Sequence, residues 1–202
     1  MVRRLCGILL VFLLVGVGLA VDREDAFIGY SENRRLGYGK TSPDPAAASF
    51  LVITTDFGTV KIELLEASAP ATVKWIKSVL SSGKESAKVF YRAESMEEGY
   101  GLVQGRFWQD LPSPPLPAET SGHNVRKTAA LITGTTEFFI SLTDHSDWDG
   151  SFNVFGEVAD DGGMEVLEKI SHLPIKNFTH PDYGTVMRML IEEVHFDAEI
   201  VS

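Results

Sequence analysis

A closed, mostly antiparallel β-barrel carrying two α-helices is the fold class this sequence predicts. Three observations point to it. Short runs rich in Val, Ile, Leu and Phe recur between residues 50 and 196. Only two segments space their apolar residues as a helix does. Strands and helices never alternate in the rhythm that builds a parallel sheet, and there is no internal repeat.

The elements follow in order. Residues 50–54 (FLVIT) and 60–64 (VKIEL) are β-rich and separated by DFGT, which reads as a hairpin with Gly58 free to take a positive φ. A helix begins at Ala69-Pro70-Ala71-Thr72, where the N–H that Pro70 lacks would be unpaired anyway. Val73, Ile76, Val79 and Leu80 give it one buried stripe, and Ser82-Gly83 ends it. Strands follow at 89–92 (VFYR), 102–104 (LVQ), 129–132 (AALI), 138–142 (FFISL) and 154–158 (VFGEV). A second helix is expected over roughly residues 164–171, and a last, partly alternating strand over 186–196. Residues 108–117 (WQDLPSPPLP) hold four prolines, which cannot supply ladder N–H groups, so an extended surface loop is expected. Residues 176–183 are polar and rich in turn formers.

The N-terminus stands apart. Met1 to Arg4 is short and basic, residues 5–20 are apolar without a charge, and Gly18-Leu19-Ala20 supplies small residues before an abruptly polar stretch. That pattern reads as a secretory signal peptide cut after Ala20, the other reading being a retained signal anchor. Residues 21–47 show neither period and read as a linker or stem, leaving 48–202 as the folded domain. The secretory pathway is therefore the expected route, to the lumen of the endoplasmic reticulum or Golgi or to secretion. Asn177-Phe178-Thr179 is an N-glycosylation sequon, which agrees with that route. The one cysteine, Cys6, lies within the signal, so the domain has no disulfide. Its core alone must hold it, and a hydrophobic content of 44% is enough.

The net charge is −10, and losing residues 1–20 removes Arg3 and Arg4 but no acid, giving −12. Such a domain is repelled by phosphate backbones, which argues against a nucleic-acid partner. The histidines (His123, His145, His172, His180, His195) lack metal-ligand spacing and read as loop or surface residues. Asp144, Asp147 and Asp149 lack the later Glu of a calcium loop and read as a solvated turn. No glycine-rich phosphate loop is present. Neither metal nor cofactor is expected.

The ordered phrases FLVITTDFGTVKIEL, APATVKWI, VFYR, LVQG, EFFISL and NVFGEV together resemble the cyclophilins, a family of peptidyl-prolyl cis-trans isomerases. The resemblance spans most of the chain. It implies a closed eight-stranded antiparallel barrel capped by two α-helices, and an enzyme acting on proline-containing segments of client proteins. The family's Phe-His-Arg phrase stands here as Phe90-Tyr91-Arg92, which implies Arg92 as the catalytic residue. That chemistry suits a guanidinium. The amide barrier of about 18–20 kcal/mol falls when the prolyl nitrogen loses conjugation, and an always-charged, forked donor can stabilise that geometry.

By the same resemblance Leu102, Phe139, Trp148 and Phe152 line the substrate pocket, with Gln104 positioning Arg92. Phe139 is the aromatic floor beneath the proline ring. Departures are visible too. Gly101 stands where the family has an aromatic wall, Phe152 where it has His, and Glu137 where it has Gln. Glu137 is placed to face Arg92, either tying up its guanidinium or holding it. An acidic insertion from Glu94 to Glu98 lengthens the stretch between Arg92 and Gln104, and the loop before Glu137 is shortened. Weakened isomerase activity is the expectation. A second class fits the same departures: a cyclophilin-like peptide-binding or scaffold module with little or no catalysis. A monomer is expected, touching membrane only through an uncleaved anchor.

Overall fold

The computed structural model describes residues 48–82, 88–97, 99–108, 115–119, 122–181 and 184–202. The signal and stem readings of residues 1–47 lie outside them. The described chain forms nine strands and two helices: β1 (Phe50–Thr55), β2 (Gly58–Leu64), α1 (Pro70–Ser81), β3 (Val89–Glu94), β4 (Leu102–Arg106), β5 (Thr128–Leu131), β6 (Glu137–Ser141), β7 (Asn153–Val158), α2 (Asp161–Ser171), β8 (Ile175–Thr179) and β9 (Val186–Val201).

Eight strands close a barrel in the order β1-β2-β7-β5-β6-β4-β3-β9, and β9 returns to β1. Every pairing is antiparallel. The length of β9 makes the closure possible. Its first residues pair with β8, its middle with β3 and its last six with β1. Closure leaves these eight strands without a free edge along the barrel wall.

Phenylalanines fill the interior. Phe138 stacks on Phe107 with ring centroids 4.2 Å apart, and Phe90, Phe155 and Phe196 meet it edge-on at 5.9, 6.3 and 6.2 Å. The helices cap this core with Val73, Ile76 and Val79 from α1 and Met164, Leu167 and Ile170 from α2. At the β1–β2 turn the Thr55 hydroxyl accepts from Phe57 N–H at 3.0 Å, and Gly58 takes φ +131. A Cβ on Gly58 would also strike Val166 Cγ2 of α2 at 2.7 Å.

α1 borrows its cap from a distant segment. Ala69 has no side chain to offer, and the Glu119 carboxylate accepts instead from Ala71 N–H (2.8 Å), Thr72 N–H (3.0 Å) and the Thr72 hydroxyl (2.6 Å). Asn153 locks the arrangement, accepting from Glu119 N–H and donating to Thr72 Oγ1 and the Pro117 carbonyl. The described end of the proline-rich stretch is thus pinned between α1 and β7.

The structure corrects four readings. Residues 175–179 are a strand, not a turn; side chains there are almost all exposed, and pairing with β9 is what organises them. α2 starts three residues earlier than its apolar stripe suggests, capped by Asp160, whose carboxylate accepts from Gly163 N–H at 2.7 Å. Asp144 and Asp149 are not merely solvated, since they accept from Arg126 N–H and Asn124 N–H and fold the loop before β5. His145 and His180 are buried, each 7% exposed.

Candidate active site

Three strands bring together residues far apart in sequence. Arg92 of β3 lies opposite Gln104 of β4, and Gln104 lies opposite Phe139 of β6. Alternation decides which side chains face this site. On β6 Phe138 joins the core while Phe139 points outward, and on β4 Val103 points in while Leu102 and Gln104 point out. β3 departs from alternation. A bulge between Phe90 and Arg92 places two consecutive side chains, Tyr91 and Arg92, beside Gln104.

Gln104 is the hub. Its Oε1 accepts from Arg92 Nη1 at 3.0 Å, and its Nε2 donates to the Tyr91 hydroxyl and, at 3.4 Å, to Glu137. The Tyr91 hydroxyl also bonds Glu137. Burial drives the Tyr91 phenol well above its usual range, and the Glu137 charge pushes the same way. Burial likewise raises Glu137, against the pull of Tyr91 and Arg106. The Arg106 guanidinium sits 5.2 Å from the Tyr91 ring centroid.

Glu137 is therefore not the acid that engages Arg92. That acid is Glu94, two residues along β3, whose side chain is fully buried. Arg92 Nε donates to Glu94 Oε1 at 2.8 Å, and Arg92 Nη2 lies 2.7 Å from the same oxygen. Arg92 itself is only 3% exposed, which excludes a surface arginine at a strand end. Glu94 Oε2 accepts from Tyr100 N–H at 3.0 Å and lies 3.5 Å from Arg188 Nη1. Gly99 and Tyr100 pack closely against this carboxylate.

Beside the guanidinium stands an aromatic cluster. Phe139 meets Trp148 (5.6 Å, 89°) and Phe152 (5.0 Å, 83°) edge-to-face, and Trp148 and Phe152 meet each other at 5.9 Å. Leu102, Phe139, Trp148 and Phe152 are all buried. Sequence reasoning missed two members. His145 stacks flat on Trp148 at 3.9 Å, and burial lowers its pKa, favouring the neutral ring. Tyr100, 40% exposed, lies 5.8 Å from Trp148 and 5.8 Å from the Arg92 guanidinium carbon. An aromatic wall is thus present after all, one residue before Gly101, whose φ of +67 turns the chain there. The signal for Tyr100 was its position next to that glycine. His145 offered none, because its burial depends on the short 3₁₀ turn Ser146–Trp148.

Asn177 lies on exposed β8, across from Arg188 on β9. Among the described residues no cluster of three His, Cys, Asp or Glu side chains is arranged to hold a metal. Chemically, the site offers a fixed guanidinium beside a predominantly apolar aromatic surface. That combination can hold a proline ring and polarise the amide next to it.

Comparison with known proteins agrees with this geometry. Residues 50–195 match the family described as cyclophilin type peptidyl-prolyl cis-trans isomerase/CLD. Relatives include peptidyl-prolyl cis-trans isomerase A of Dickeya dadantii, 28% identical over 64% of this chain and 75% of that protein. An Acinetobacter baylyi peptidyl-prolyl cis-trans isomerase is 27% identical over 71% of this chain and 82% of its own. Among solved structures, a Cryptosporidium parvum cyclophilin type peptidyl-prolyl cis-trans isomerase superposes with a TM-score of 0.60 at 19% identity. It covers 77% of this chain and 98% of that one. A structure of that isomerase in the presence of the dipeptide Ala-Pro superposes with a TM-score of 0.53, covering 76% and 99%. The chain belongs to the cyclophilin-type peptidyl-prolyl cis-trans isomerases.

Proposed function

We propose that this isomerase accelerates X-Pro rotation in client proteins of the secretory pathway, with turnover weaker than an unrestrained site would give. The observation that carries the reading is the row Arg92, Gln104 and Phe139 across β3, β4 and β6. The proline ring rests against Phe139, bounded by Leu102, Trp148 and Phe152. As the amide twists, its nitrogen lone pair leaves conjugation, and an Arg92 N–H stabilises it. No covalent bond forms or breaks, and no proton must leave the enzyme. Gln104 keeps the guanidinium in place, and Glu137 and Tyr91 keep Gln104 in place. That the Cryptosporidium parvum isomerase has a structure in the presence of the dipeptide Ala-Pro supports proline-containing segments as substrate. The basic-then-apolar N-terminus and the exposed Asn177 support the secretory route, with Asn177 as a glycosylation site.

One observation favours the other reading, a peptide-binding module. Arg92 is 3% exposed and already paired, so a substrate must displace what covers it. The test is cis-to-trans isomerisation of a short X-Pro peptide by the full chain and by Arg92→Ala. Catalysis that Arg92→Ala abolishes supports the enzyme. A folded chain that binds the peptide without accelerating its isomerisation selects the module. Loss of mass on glycosidase treatment, absent in Asn177→Gln, tests the route.

A further inference from the structure

Arg92 has an internal competitor. Its guanidinium offers five N–H groups, of which Nε–H and one on Nη2 face Glu94 Oε1 and one on Nη1 faces Gln104. Both partners of the ion pair are buried, at 4% and 0% side-chain exposure, so solvent screens it little. The carboxylate is held on all sides. Tyr100 N–H donates to one oxygen, Arg188 N–H to the other at 3.3 Å, and Arg188 Nη1 approaches at 3.5 Å. Gly99 completes the cradle, since a Cβ there would collide with Glu94 Oε2 and lie 2.9 Å from Arg188 Nη1. Glycine is the residue that lets the chain pass this close.

We infer that Glu94 is a positioning counter-ion that competes with the twisting amide for the Arg92 guanidinium and thereby sets the isomerase rate. The inference rests on the reading of Arg92 as the donor. A neighbouring carboxylate offsets the guanidinium's positive field, so less of it acts on the prolyl nitrogen. Arg188 works against this effect by drawing part of the Glu94 charge toward β9. Because Glu94 also anchors Tyr100 N–H, the carboxylate couples the charge state of the site to the position of its aromatic wall.

The experiment compares steady-state isomerisation of a short X-Pro peptide by the full chain, Glu94→Gln, Arg92→Ala and the double variant. Gln keeps the length of the side chain and one acceptor oxygen, enough for Arg92 or for Tyr100 N–H but not for both, and removes the charge. Glu94→Gln is expected to raise kcat several-fold with KM little changed, and the rise is expected to vanish in the Arg92→Ala background. A purely structural role for Glu94 would lower kcat together with the melting temperature. An unchanged or lower kcat in folded Glu94→Gln overturns the inference. Wild-type activity in Arg92→Ala overturns the donor reading itself, which keeps the two failures apart. If Glu94→Gln does not fold, Arg188→Gln carries the test. A lower kcat is then expected, and an unchanged or higher one overturns the inference.

Discussion

Removing the Glu94 side chain altogether should reveal how much of the fold depends on this ion pair. In Glu94→Ala the Arg92 guanidinium stays buried among β3, β4 and the aromatic cluster, with Gln104 as its remaining partner. Tyr100 N–H and Arg188 lose their acceptor as well. Breaking one side of a buried pair typically costs about 3–5 kcal/mol, because the surviving charge is left uncompensated. For a domain of this size that corresponds to a fall in Tm of roughly 6–20 °C, at about 2–4 °C per kcal/mol. The Arg126–Glu168 pair is the control. Its length is similar, 3.0 Å, but its side chains are 42% and 43% exposed. Glu168→Ala should therefore cost no more than about 1 kcal/mol. Replacing both buried partners, as Arg92→Met with Glu94→Leu, should recover most of the loss, since no charge is stranded. Urea unfolding followed by tryptophan fluorescence measures all four proteins. Equal costs for Glu94→Ala and Glu168→Ala would refute the burial argument.

Two further predictions concern neighbouring positions on β6. Phe138→Ala should destabilise the domain by about 3–5 kcal/mol in the same assay, because a fully buried ring touching four others leaves a cavity; a loss below about 1 kcal/mol would show that the core collapses around it. Glu137 has a folded pKa raised above its unfolded value by burial, so its stabilising contribution is present at low pH and is lost as pH rises through the folded value. Glu137→Gln should flatten the stability profile just above the ordinary glutamate range and exceed the native chain in stability at neutral pH. An unchanged profile would mean that the burial of Glu137 carries no net titration.

Much of the barrel was legible in the sequence, and the physical reason is local. Runs such as FLVIT and FFISL are short, rich in β-branched and aromatic residues and bounded by turn formers, which suits strands, and the stripe in α1 has one helical period. What escaped notice depended on partners. Ile175 to Thr179 carries almost no buried side chain, so only β9 makes it a strand. The first turn of α2 hid behind Gly162 and Gly163, poor helix formers, although a Cβ on Gly163 would press on Val158 Cγ1 at 2.9 Å.

The site divides in the same way. That Arg92, Gln104 and Phe139 belong together came from their order along the chain, and their cross-strand register places them side by side. Which acid Arg92 would meet was a tertiary matter, even though a clue existed: residues two apart on a strand share a face, as Arg92 and Glu94 do. Glu137 was the acid that sequence favoured, yet the bulge at Tyr91 turned a phenol toward it instead. The sequence by itself determined the barrel, through the periodicity of its strands and helices, and its ordered phrases, by their resemblance to the cyclophilins, singled out the residues available for chemistry. Only the tertiary structure decided that the arginine is buried, which carboxylate holds it and that Tyr100 replaces the lost wall. Those outcomes depend on register, on a bulge and on a glycine's clearance, and none of them is encoded in any one segment.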